Sequence, residues 1–205
     1  MKRLPEIIEK IEKTLDQRDL AREEALKSCR ALVRLSGHIV RELHRGGDVG
    51  SLLKDAQQEA GRLRSLLQDQ PALLHSGAVT DGFQEFCEAV LTVQILRGEE
   101  LSGPQDLGVP EEPYLLGLGD VVGELRRVTL RHLQGGEVEE AGRFLAIMEE
   151  IYDHLLRFDH PSAIISVRRK QDVARGLIEK TRGEVAVASR GKHLERRLDE
   201  LQGKL

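Results

Sequence analysis

Aromatic residues supply only 3% of this 205-residue chain, and tryptophan is absent. The core must therefore be built mainly from aliphatic side chains. There are two cysteines, Cys29 and Cys87, both in apolar helical settings. That excludes a disulfide-stapled scaffold and fits reduced core residues of a cytoplasmic protein. No apolar run approaches the ~20 residues of a membrane span, so a membrane partner is not expected. The opening, Met1-Lys2-Arg3-Leu4-Pro5-Glu6, leads into a charged helix and lacks the apolar centre of a secretory signal. There is no excess of positive charge either. The net charge is -4, so a nucleic-acid partner would have to show in the distribution of charge.

Several catalytic signatures are missing as well. No serine or cysteine lies in a nucleophile elbow. The histidines, His38, His44, His75, His132, His154, His160 and His193, are scattered. None forms a His-Glu-x-x-His zinc pattern or a Glu-x-x-His di-iron pattern. Gly117-Leu118-Gly119 with Gly123 has the wrong last spacing for a dinucleotide fingerprint, and no strand precedes it.

What is present is helix. Leu, Ala, Glu and Arg dominate. The first helix is expected from Pro5 to His44 and ends at Gly46-Gly47. At ~1.5 Å per residue such a helix exceeds what a compact domain of this size needs. Part of it is thus expected to pack on another subunit. A second helix follows from Asp48 to Gln68, with Pro71 and Gly77 marking the next break. Asp81 with Gln84 reads as a capping box opening a third helix that runs to Arg97. The stretch Gly98 to Glu112 is rich in Gly and Pro and reads as a loop. Pro113 opens a fourth helix ending near Gly135-Gly136. A fifth spans Val138 to Phe158, a sixth Ser162 to Ser189, and a short tail helix Lys192 to Leu201. No strand and no internal repeat is expected. The chain reads as one all-α domain over residues 1–205, a bundle of six or seven helices.

Four carboxylates stand out. Glu85 and Glu88 are the only acids in the first three turns of the third helix, which is apolar nearly all round. Such a helix is expected in the core or in a subunit interface. Three residues apart, the two acids are neighbours on the helix surface. One reading is a metal or catalytic pair; the other is two acids near a helix N-terminus favoured by the macrodipole. On the fourth helix Asp120, Glu124, Arg127 and Arg131 share a stripe, with Gly117 one turn earlier. Again two readings stand, a ligand site or a solvated row of weak ion pairs. The first helix carries Lys27, Arg30, Arg34, His38, Arg41 and Arg45 within a narrow arc, opposite Leu32, Leu35, Ile39 and Leu43. A one-sided basic stripe in an acidic chain is either a phosphate track or a solvated face. Arg168-Arg169-Lys170 is a further basic cluster.

Two segments carry a resemblance. Pro113-Tyr114-Leu115-Leu116-Gly117-Leu118-Gly119-Asp120-Val121-Val122-Gly123-Glu124-Leu125 is similar to the Tyr-Leu-Leu-Gly…Asp…Gly-Glu-Leu helix of the translin family. Gly82-Phe83-Gln84-Glu85-Phe86-Cys87-Glu88-Ala89-Val90 resembles the Gly-Leu-Gln-Glu-Tyr-x-Glu-Ala segment of its Trax (translin-associated protein X) branch. The resemblance extends over most of Lys27 to Gly191. It implies an all-α protein that assembles into an octamer-like shell enclosing RNA. It further implies an Mg2+- or Mn2+-dependent endoribonuclease acting on single-stranded RNA, or on single-stranded parts of structured RNA. Glu85, Glu88 and Asp120 would be the catalytic acids and metal ligands, and Glu124 a further metal ligand. Arg30, Arg34, Arg41, Arg127 and Arg131 would then guide the RNA. The chain departs from the branch in a shorter Gly98 to Glu112 loop and in having no basic targeting segment. Self-assembly as a homo-oligomer fits, and a separate translin-type partner subunit stays open. Two other functions remain in view: a non-catalytic oligomeric RNA- or DNA-binding shell, and an all-α nucleoside triphosphate pyrophosphatase. The pyrophosphatase pattern has Glu-x-x-Asp on its second acidic helix, whereas this chain has Asp-x-x-x-Glu.

Overall fold

The computed structural model describes residues 3–68, 70–74, 76–161 and 165–202. His75 and the expected helix start at Ser162 lie outside the described residues. Among the described residues there are eight helices and no strand. They are α1 (Leu4–Arg45), α2 (Gly50–Leu67), α3 (Pro71–Leu74), α4 (Gly77–Arg97), α5 (Pro104–Leu107), α6 (Glu111–Gln134), α7 (Val138–Leu155) and α8 (Arg168–Gln202). No described helix is long and apolar enough to cross a membrane. The chain forms two compact units, Met1–Tyr114 and Leu115–Leu205; α6 starts in the first and continues in the second.

In the first unit α1 packs on both α2 and α4. The inward row of α1 buries Ala25, Ser28, Cys29, Leu32, Ser36 and Ile39, as its periodicity requires. Gly46 closes the helix in the left-handed region at φ 75°. Its N–H donates to the Leu43 carbonyl and that of Gly47 to the Glu42 carbonyl, which satisfies two otherwise orphaned acceptors. The N-terminal third of α1 is different. Leu4, Ile7, Ile8, Ile11, Leu15 and Leu20 are all exposed.

Helix α4 is the centre of this unit, with Phe83, Phe86, Cys87, Leu91 and Val93 among its buried residues. Each large side chain so covered contributes about 1.5–3 kcal/mol. A Cβ on Gly82 would come within 3.4 Å of Cys29 Cβ and 3.5 Å of its Cα. The two helices thus pass close to one another at Gly82 and Cys29. Of the two places expected for the apolar α4, the core or a subunit interface, it takes the core: α1 and α2 pack on it within the same chain. Its start is corrected. The helix begins at Gly77 after Ser76, a turn ahead of the expected cap at Asp81.

The Gly98 to Glu112 segment is more ordered than a plain loop. Gln94 Nε2 donates to Ser102 Oγ at 2.8 Å, and the Ser102 N–H donates back to Gln94 Oε1 at 3.1 Å. The Tyr114 hydroxyl donates to the Ser102 carbonyl at 3.0 Å. Asp106 accepts the Gly103 N–H at 2.8 Å and so starts α5.

In the second unit α7 packs on α8. Val121, Val122, Leu125, Phe144, Met148, Leu155, Ala174 and Ile178 are buried. Gln171 Nε2 donates to the Leu155 and Phe158 carbonyls at 2.8 and 3.1 Å, completing the C-terminus of α7. Arg126 joins α6 to α8 through a fork to Glu184 at 2.8 and 2.9 Å and a bond to Thr181 Oγ1 at 2.5 Å. The tail that was expected to be a separate helix is instead the continuous end of α8. No proline or helix-ending turn interrupts it, and Gly191 alone does not break a helix of this length.

Candidate acidic site and nucleic-acid interface

The four acids divide between the two units. In the first, Glu85 and Glu88 sit one turn apart on α4 and are partly buried, flanked by the buried Phe83, Phe86, Cys87 and Ala89. Both are engaged by neighbouring groups. The cysteine between them is chemically quiet: burial pushes the Cys87 thiol up to about 12, and burial also raises that of Cys29. At neutral pH neither supplies a thiolate nucleophile.

The basic stripe belongs to the same unit. Lys27, Arg30, Arg34, His38, Arg41 and Arg45 are all exposed, while Leu32 and Ile39 on the opposite side are buried. Lys27 and Arg45 are tied to Glu24 and Glu42 at 2.8 and 3.0 Å. Arg41 folds back along its own helix, where a Cβ on Gly37 would lie 3.3 Å from its Nη1. From Arg30 to Arg41 the stripe runs ~16 Å along the helix axis. It can therefore meet several successive backbone phosphates.

In the second unit Asp120 and Glu124 are partly buried on α6, and Arg127 and Arg131 are exposed on the same helix. The neighbouring Arg126 is the structural arginine, held by Glu184 and Thr181. Asp120 has a partner the sequence reading did not pair with it. Lys170 Nζ donates to both of its carboxylate oxygens, at 2.5 and 2.7 Å. The two residues are 50 apart in the chain, so no local spacing rule links them. The one sequence signal is Gly119, beside Asp120. A Cβ there would come within 2.8 Å of Lys170 Cβ.

The donor chemistry suits a hard divalent cation, since all four acids offer carboxylate oxygens. The arrangement is less complete. Among the described residues no three His, Cys, Asp or Glu side chains gather into a group that could hold a metal ion. Asp120 in addition is already neutralised by Lys170.

The chain is 31% identical over 191 residues to an uncharacterized protein of Methanocaldococcus jannaschii, covering 92% of this chain and 85% of that protein. The structure of an AfC3PO–duplex RNA complex superposes with a TM-score of 0.73 at 32% identity, over 90% of this chain and 97% of the other. Crystalline AfC3PO matches with the same TM-score at 31% identity and the same coverage. Apo-NeC3PO shares the fold, with a TM-score of 0.77 at 20% identity over 88% of this chain and 96% of its own. The Translin family pattern matches residues 20–183, spanning both acidic helices and the basic stripe, and the chain belongs to the translin family.

Proposed function

We propose that this chain is an RNA-binding, self-assembling protein of the cytoplasm that cuts single-stranded RNA, or single-stranded stretches of structured RNA, with a divalent cation such as Mg2+ or Mn2+. The observation that carries this reading is the acid pair on α4. Glu85 and Glu88 lie partly buried on a helix whose other side chains are largely apolar and buried. Charge in such a place costs stability unless it is matched, and the resemblance to the Trax branch assigns these two acids to catalysis. The RNA complex of the AfC3PO relative supports the choice of ligand. The two buried, unpaired thiols fit a reducing compartment.

Glu85, Glu88, Asp120 and Glu124 would hold the cation. When bound, it supplies an activated water and offsets charge on the attacked phosphate. The chain's own residues do the rest. Arg30, Arg34 and Arg41 attract and align the backbone, and Arg127 and Arg131 extend the positive surface of α6. Phosphate contacts carry no sequence information, so selectivity among sequences is weak. Self-assembly, into an octamer-like homo-oligomer or with a translin-type partner subunit, is supported by the exposed apolar row at the start of α1. Leu194, Leu198 and Leu201, exposed on α8, form a second such row.

A second reading is favoured by a specific observation. The ion pair that closes Asp120, together with the absence of a three-acid group among the described residues, fits an RNA-binding shell that does not cut. The deciding experiment is cleavage of a labelled single-stranded RNA with and without Mg2+. The assay compares wild type with Glu85→Gln, Glu88→Gln and Asp120→Asn. The catalytic reading expects metal-dependent cleavage lost in each variant while RNA binding is kept. Binding without cleavage in the wild type, at any divalent ion concentration, selects the second reading.

A further inference from the structure

Asp120 carries a built-in cation. Lys170 Nζ reaches both carboxylate oxygens, and the two side chains keep only 22% and 25% of their surface exposed. The lysine stem lies against Gly119, where a methyl group would come within 2.8 Å of Lys170 Cβ and 3.2 Å of its Cγ. Helix electrostatics do not explain the lysine. Lys170 stands in the first turn of α8 with Arg168 and Arg169, and that turn has no acid. The positive end of the helix dipole disfavours cations there. Arg168 is matched by Asp159 at 2.6 Å. Lys170 is matched by the acid that the family resemblance assigns to metal.

We propose that Lys170 competes with the divalent cation for Asp120, so that the lysine sets the ion concentration at which this site fills. This rests on the reading of Asp120 as a metal ligand. An ammonium and a divalent ion cannot both occupy the face formed by the two Asp120 oxygens. Ion binding must break the two bonds to Nζ and move the lysine head outward. The head has somewhere to go, since the side chain is partly exposed and flexible beyond its packed stem. The competition makes the site respond to divalent ion level. It also keeps Asp120 neutralised, and the second unit stable, when that level is low. The hypothesis assigns Lys170 a positioning role and no contact with reacting atoms.

The test is Mn2+ binding without RNA, read from the electron paramagnetic resonance signal of the free ion. Wild type, Lys170→Gln, Lys170→Arg and Asp120→Asn are compared. Lys170→Gln should bind Mn2+ about tenfold more tightly, the scale of removing one adjacent charge from a partly exposed site. Lys170→Arg keeps the cation and should stay near wild type. Asp120→Asn should bind more weakly. Thermal melts supply a second readout: Lys170→Gln should melt lower than wild type without Mn2+ and regain the difference when Mn2+ saturates. Lys170→Met keeps the stem against Gly119 and replaces the glutamine variant should that one fold poorly. Unchanged or weaker Mn2+ binding in Lys170→Gln, with Asp120→Asn still impaired, overturns the competition and leaves the metal reading intact. Equal binding by Asp120→Asn and wild type, or no binding by any of them, removes Asp120 from the metal site and the competition with it.

Discussion

Reversal of the α1 stripe tests the RNA reading most directly. Arg30, Arg34 and Arg41 are exposed, and the row they form lies opposite the buried Leu32 and Ile39. Changing all three to Glu therefore alters the surface without opening the core. If each arginine neutralises one phosphate of a single strand, the variant loses three of the contacts that release counterions. The log–log salt slope is roughly -0.7 per contact, so it should flatten by about 2 units. Between 50 and 200 mM salt, a slope difference of that size changes the wild-type-to-variant affinity ratio by ~20-fold. The effect should be large at low salt and shrink as salt rises. Fluorescence anisotropy with a labelled single-stranded RNA at four salt concentrations gives both slopes. Circular dichroism and light scattering show whether fold and assembly are kept. A folded, assembled variant with the wild-type slope would show that the stripe is a solvated face. The phosphate track would then be sought at Arg127, Arg131 and the Arg168 to Lys170 cluster.

Two further predictions concern stability and assembly. Folding holds the Cys87 proton up to about pH 12, whereas an unfolded thiol loses it near 9. The stabilising effect is whole below pH 9 and falls as pH rises toward 12, by up to ~4 kcal/mol. Urea unfolding from pH 8 to 11 should show a steeper alkaline loss for wild type than for Cys87→Ala, and equal slopes would count against the buried-thiol account. For assembly, the double change Ile8→Glu and Ile11→Glu places charge on the exposed row at the start of α1, ahead of the family match that begins at residue 20. Light scattering after size exclusion should show a smaller species than wild type. Identical masses would mean that this row is not an interface.

The helices were legible where one physical signal acted alone. The heptad-like burial of α1 and its end at Gly46-Gly47 follow from periodicity and from the left-handed turn that glycine supplies. The start of α4 was missed because Asp81 and Gln84 have the composition of a capping box, although the helix already runs through them from Gly77. Capping residues inside a helix look the same in sequence as capping residues at its start. Whether the core or a subunit interface covers α4 stayed open for a related reason. An apolar helix declares that it will be buried, not by what. The answer lay in the fold, which packs α1 and α2 on α4.

The candidate acids stand out in the sequence because each is a local anomaly: a carboxylate on an apolar helix needs a reason, and Glu85, Glu88 and Asp120 can be picked out one helix at a time. The partner of Asp120 could not be found in that way. Lys170 reads locally as the third member of a solvated basic cluster, and only the fold carries it across 50 residues to the acid. The same holds for Gly119, which taken alone weakens a helix by ~1 kcal/mol but beside Lys170 makes room for an ion pair. Pattern reading thus locates charges and misses how they are balanced. In the proposed competition between Lys170 and a divalent ion for Asp120, balance is the part that would decide function. That is why the comparison of Lys170→Gln with Lys170→Arg, equal in site and different in charge, carries more information than removal of any single acid.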